Sequence, residues 1–188
     1  MAPVTLIKPR RVADERGWFC ETYRVDAAAA LGIRDVFVQD NHSLSRKAGT
    51  VRGLHFQLPP DGQAKLVRCL RGRMLDHVVD IRRGSPTYGR TASVELSEGN
   101  GWQLYIPVGF AHGFVTLEPD CEVAYKVSAV YAPASDAGIR FDDPALGLDW
   151  VFPAGDLSVS PKDRGLPALA AFGSPFAYDG EPLPASLH

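Results

Sequence analysis

Arg52, His55 and Lys65 bracket a turn, Leu58-Pro59-Pro60-Asp61-Gly62, inside the largely apolar stretch VRGLHFQLPPDGQAKLVRC at 51–69. Two strands joined there would bring an imidazole and two cations to one cavity. A neutral imidazole beside fixed cations can take a proton next to an anion, or next to an oxygen that is gaining negative charge. Read singly, the three are ordinary: a surface cation, a satisfied rim or core histidine, and the solvated first residue of a strand. Their combination is what points to chemistry.

A second histidine has a spacing of its own. Gly101-Trp-Gln-Leu-Tyr-Ile-Pro107-Val-Gly109-Phe-Ala-His112 reads G-x5-P-x-G-x2-H and resembles the second sequence motif of the cupin superfamily of jelly-roll barrels. Its Pro and Gly turn would return His112 to the barrel mouth facing inward. In metal-binding cupins that histidine is a ligand, alongside a His-x-His pair and a Glu. Here the corresponding place holds only His55-Phe56-Gln57. His77 and Glu95 are the remaining candidates, and the ligand count is poor for an open transition-metal site. The expectation is therefore no metal and no cofactor, with the chemistry carried by side chains.

The elements that must position these residues are mostly strands. Residues 3–12 alternate apolar and polar groups around Pro3 and Pro9, which suits an edge strand or an exchanged arm. Asp14-Glu15-Arg16-Gly17 reads as a turn into a second strand carrying Trp18, Phe19, Glu21 and Tyr23. Asp26 to Gly32 reads as a short helix with an Asp cap and a Gly stop. Strand-like runs follow at 36–41, 66–70, 74–81, 91–96, 103–106, 113–117 and 122–130, with a polar loop at 43–50. Short strands at regular intervals, separated by Arg71-Gly72, Gly84-Ser85-Pro86 and Glu98-Gly99-Asn100-Gly101, imply an all-β antiparallel barrel, a jelly roll, with a few short helices. Beyond Tyr131 the chain turns rich in Pro, Gly, Asp and Ala. One helical turn is expected within 142–150, and a mobile tail within 179–188.

A chain of 188 residues with 45% hydrophobic composition supports one domain with one core. A formal net charge of -2 argues against a general nucleic-acid or membrane footprint. Cys20, Cys69 and Cys121 are three, widely separated and without metal spacing, which suits reduced core thiols in a cytoplasmic protein. No apolar run approaches the ~20 residues of a membrane span.

Six blocks carry a closer resemblance: DERGWF at 14–19, FVQDNHS at 37–43, RGLHFQ at 52–57, KLVRC at 65–69, VDIRRGSPTYG at 79–89 and IPVGFAHGF at 106–114. In order and spacing they resemble the dTDP-4-dehydrorhamnose 3,5-epimerase family over about residues 3–170. The resemblance implies a metal-free cupin barrel, a homodimer with exchanged N-terminal strands, and inversion of dTDP-4-dehydro-6-deoxy-glucose at carbons 3 and 5. It places the base on His55, the acid on Tyr125 in VAYKV, and the carboxylate that orients the base on Asp163 in SPKD. Lys65 fits the cation beside the carbon 4 oxygen. Arg16, Glu21, Gln39, Asp40, Asn41, Arg52, His112, Asp136 and Lys162 fall on substrate-contacting positions, and Tyr131 on the residue that stacks against thymine. Asp136 stands where family members tend to have Glu. Asp76, on the same strand face as Val78 and Asp80, reads either as an inward carboxylate holding His55 or a sugar hydroxyl, or as a rim charge.

Rival readings are a relative that inverts a single centre, a metal-dependent cupin, and a non-catalytic nucleotide-sugar-binding barrel. The last would have no use for His55, Lys65 and Tyr125 together.

Overall fold

The computed structural model describes residues 3–184 and 187. Two sheets face one another. The first has the order β1 (Thr5–Ile7), β9 (Gln103–Ile106), β6 (Lys65–Arg71), β11 (Cys121–Val127), β4 (Gln39–Ser45). The second has the order β12 (Asp136–Gly138), β5 (Thr50–Gln57), β10 (Phe110–Thr116), β7 (Arg73–Asp80), β8 (Thr91–Ser97), and the two-residue β13 (Ser158–Val159) pairs β5 in parallel. This is the expected jelly-roll barrel. Pro9 ends the edge pairing of β1, and the chain then forms a separate hairpin of β2 (Arg11–Asp14) and β3 (Gly17–Cys20).

Alternation along the strands, broken by a bulge in β5, builds two large cores, with a smaller third cluster of Ile33, Ala64, Leu66 and Tyr105. Val67, Met74, Val78, Leu104, Phe110, Phe114 and Val123 fill the space between the sheets. The opposite face of the second sheet, with Val51, Leu54, Phe56, Val79, Ile81, Ala111 and Val115, is covered by Ile139, Phe141, Leu146, Trp150, Leu157, Leu169 and Phe176. The segment read as Pro- and Gly-rich loop is thus a structural cover. Its residues 142–150 form turns rather than the expected helical turn, because Leu146 and Trp150 dock individually and the Trp150 indole donates to the Phe141 carbonyl at 2.9 Å.

The first helix, α1 (Val25–Ala30), ends at Gly32 in the left-handed region, as expected. The expected Asp cap is absent: Arg24 holds the N-cap position, and its guanidinium takes Asp26 at 2.6 Å. β4 continues to Ser45, through the first part of the stretch read as loop. The tail expected to be mobile from Asp179 is pinned at Leu183, which is buried in the first core and donates its amide to Thr87 Oγ1 at 2.9 Å. Ala185, Ser186 and His188 lie outside the described residues.

Candidate active site

Between the sheets opens a cavity of about 680 Å³. On β5 it is lined by Arg52, His55 and Gln57. Arg52 and His55 are an odd number of residues apart, so a regular strand would turn them to opposite faces. The β5–β10 register slips between them: His112 pairs with His55 and Phe114 with Arg52, so two residues, Gly53 and Leu54, oppose the single Gly113. This bulge returns both side chains to the cavity and sends Leu54 into the second core. Gly53 has φ +123, and a Cβ there would lie 2.6 Å from Gly113 Cα and 2.7 Å from the His112 carbonyl oxygen. Only glycine fits this crossing.

His55 is held by Asp163. Parallel pairing of Ser158 with Thr50 and Val159 with Val51 sets the short helix α2 (Pro161–Arg164) against β5. Ser160 caps α2 by accepting from the Asp163 amide at 3.0 Å, with Pro161 as the first helical residue. Asp163 Oδ1 then lies 2.6 Å from His55 Nε2, and its Oδ2 accepts from Gly53 N at 3.3 Å. Burial favours the neutral acid. The hydrogen bonds from His55, Gly53 and Ser160 outweigh it and hold the carboxyl below its usual range. The carboxylate takes Nε2–H and leaves the imidazole lone pair on Nδ1.

Lys65, the first residue of β6, donates to the His55 carbonyl at 3.1 Å. Burial lowers its pKa to about 8, against the opposing charges of Asp76 and Asp136. His112 faces the cavity from β10 and contacts Asp76 Oδ2 at 3.0 Å, and burial lowers its pKa in turn. Asp76 is fully buried, so neither the rim charge nor the partner of His55 describes it. Among the described residues, no three His, Cys, Asp or Glu side chains converge as a metal ligand set.

The opposite wall belongs to the first sheet. Tyr125 on β11 faces the cavity beside Gln39 and Asn41 of β4, and burial raises its pKa, so at neutral pH the phenol keeps its proton. At the mouth, Asp136 accepts from the Tyr131 hydroxyl at 3.0 Å and binds the Lys162 ammonium. Burial pushes the Asp136 carboxyl up, but those two donors win and hold it low, while Lys162 is raised in return. Gln39 accepts from Tyr131 N at 2.9 Å, and Gln57 ties the 58–62 turn to the same segment through Asp61 O (2.7 Å), Val130 O (3.2 Å) and Ala132 N (2.8 Å). Gln57, Ser43 and Ser160 also line the cavity and were not singled out in the sequence.

Three expected site residues lie elsewhere. Asp40 points to the outer face of β4 and pairs with Lys126 at 2.8 Å, because Gln39 and Asn41 take the inner face on either side of it. Arg16 stands at the tip of the β2–β3 hairpin, 84% exposed and paired with Asp14, and Glu21 follows the hairpin beside Arg24. The hairpin also shows solvent Trp18 (58% exposed) and Phe19 (73%). Among the described residues, no helix is long and apolar enough to cross a membrane.

The model of the dTDP-4-dehydrorhamnose 3,5-epimerase family matches residues 1–171. The chain is 49% identical to the dTDP-4-dehydrorhamnose 3,5-epimerase of Sinorhizobium fredii, over 95% of this chain and 91% of that one. It is 46% identical to the enzyme of the same name from Salmonella typhimurium, over 88% and 90%. The solved structure of the Legionella pneumophila dTDP-6-deoxy-D-glucose-3,5-epimerase, in complex with dTDP-4-keto-L-rhamnose, superposes with a TM-score of 0.88 at 42% identity, covering 93% of each chain. With a matching fold and sequence identity at this level across nearly its whole length, the chain belongs to the dTDP-4-dehydrorhamnose 3,5-epimerase family of isomerases.

Proposed function

We propose that the cavity binds dTDP-4-dehydro-6-deoxy-D-glucose and inverts carbons 3 and 5 to give dTDP-4-dehydro-L-rhamnose, by proton removal on one face and delivery on the other. The observation that carries this is the placement of two groups on opposite walls. His55, oriented by Asp163, comes from the second sheet, and the protonated Tyr125 comes from the first. Hydrogens on the carbons flanking a ketone are weakly acidic, so a neutral imidazole can remove them if the enolate is stabilised. Lys65 supplies a fixed positive charge for the carbon 4 oxygen. Arg52 and Lys162 suit the pyrophosphate, Tyr131 the face of the thymine, and Gln39, Asn41, His112 and Asp136 the remaining polar groups of the substrate. The chemistry needs no metal or cofactor in this scheme.

The functional unit is a homodimer of single-domain subunits. The exposed Trp18 and Phe19 hairpin supports this, since it offers apolar surface at the place where an exchanged arm would carry Arg16 and Glu21 to the partner's site. Asp40 enters only as the spacer between Gln39 and Asn41. Mixing inactive Arg16→Ala with inactive His55→Ala subunits should restore activity through hybrid dimers, and no recovery would confine each site to one chain.

The deciding experiment is turnover in deuterium oxide, followed by mass and proton resonances. Two deuteriums in the product support inversion at both carbons. One supports a single-centre epimerase, and none leaves a binding protein.

A further inference from the structure

Cys69 on β6 and Cys121 on β11 point into the barrel with their sulfurs 3.8 Å apart, and both are buried. They lie across neighbouring strands where the register slips, so that Cys69 is paired with Val123 and Cys121 reaches it diagonally. The sulfurs sit against the turn from β6 to β7: Cys69 Sγ is 3.1 Å from Arg71 O and 3.3 Å from Gly72 O, and Cys121 Sγ is 3.6 Å from Arg73 O. Four residues of strand, about 13 Å, separate Cys69 from Lys65. Nothing in the reaction described above uses either thiol.

We propose that Cys69 and Cys121 form a dithiol modification site, whose substrate is a small hydroperoxide and whose product is a disulfide stitching β6 to β11. The sulfurs, 3.8 Å apart, must close by a little under ~2 Å to reach the bonding distance of a disulfide. The Cys69 thiolate attacks the peroxide oxygen, the O–O bond breaks, and the leaving oxygen departs as water or an alcohol after taking a proton. Cys121 then attacks the Cys69 sulfenic acid, the S–O bond breaks, and a second water leaves. Two thiols have lost two protons and two electrons, and the peroxide has gained them. The hydrogen bond between the sulfurs favours Cys69 as the first thiolate: it lowers the Cys69 thiol and raises Cys121. Burial restricts the oxidant to small molecules, and the partly exposed Cys20 serves as an internal comparison.

The test treats the reduced full-length protein with hydrogen peroxide, followed by intact mass, alkylation after denaturation, and peptide mapping. The expected result is loss of two hydrogens, one alkylatable thiol that maps to Cys20, a peptide pair joined through Cys69 and Cys121, and full reversal by dithiothreitol. The crosslink should raise the thermal midpoint by about 5–10 °C. In Cys121→Ala the Cys69 sulfenic acid has no resolving thiol and should be trapped by dimedone added together with the denaturant. Oxidation of Cys20 with Cys69 and Cys121 still alkylating, a linkage through Cys20, or a fall in the midpoint would each overturn the proposal. The wild-type mapping decides even if the variant does not fold.

Discussion

Arg52 and His55, three residues apart on one strand, share a cavity because β5 carries one more residue than β10 between them, at Gly53 and Leu54 opposite Gly113. The candidate base is aimed by a backbone irregularity, and the irregularity depends on a glycine whose absent Cβ leaves room for the neighbouring strand.

Gly53→Ala therefore faces both a left-handed φ and a backbone clash, for which there is no flexible side chain to move aside. The expected cost is about 2–5 kcal/mol of stability, with His55 displaced and turnover reduced in the fraction that folds. Denaturant unfolding checks it. A loss under ~1 kcal/mol with normal turnover would show that the bulge does not set the aim of His55.

Asp163→Asn keeps the shape of the side chain and the Ser160 cap but removes the negative charge that stabilises an imidazolium at His55. Turnover should fall by about 10²–10⁴-fold while the protein stays folded. Nearly normal turnover with a normal pH profile would mean that another group orients the base.

Lys65 gives a pH signature with two opposite limbs. Its cation is required for enolate stabilisation, so kcat/KM should decline as pH rises through about 8. The stability effect runs the other way. Its folded pKa lies below the ordinary lysine value of 10.5, so the unfolded chain binds more protons between about 8 and 10.5, and this group's contribution to stability rises with pH across that window. Lys65→Met should lose both limbs, with a larger fall in kcat than rise in KM. An effect confined to KM would move Lys65 to ground-state binding.

Much of this was legible in the sequence. Between residues 36 and 130, alternating patterns bounded by Gly and Pro turns gave strands that differ from the observed ones by a few residues at their ends, since a side chain either faces the core or does not, whereas the run at 3–12 splits into β1 and β2, and the short β12 and β13 carried no pattern. The outward turn of Asp40 follows from the same alternation, as three consecutive strand residues cannot share a face. The β5 bulge left no trace in the hydrophobic pattern, because its cause is a contact between Gly53 and Gly113, sixty positions away in the chain. Helix α2 had a local signal, Ser160-Pro161-Lys162-Asp163, with a capping Ser, a first-position Pro and an Asp. The cover at 139–176 had none, because its apolar residues follow no helical or strand period and dock one by one.

The central claim is that removal and delivery of the proton belong to different walls of the cavity, and Tyr125→Phe separates the two. Phenylalanine keeps the ring and its packing but has no proton to give, so His55 still forms the enolate, which is reprotonated from the side it left. In deuterium oxide the recovered substrate should gain deuterium, while inverted product, trapped by a downstream reductase, forms about 10²–10⁴-fold more slowly than with the native enzyme. Product at the native rate would remove Tyr125 from the mechanism and contradict the two-wall account.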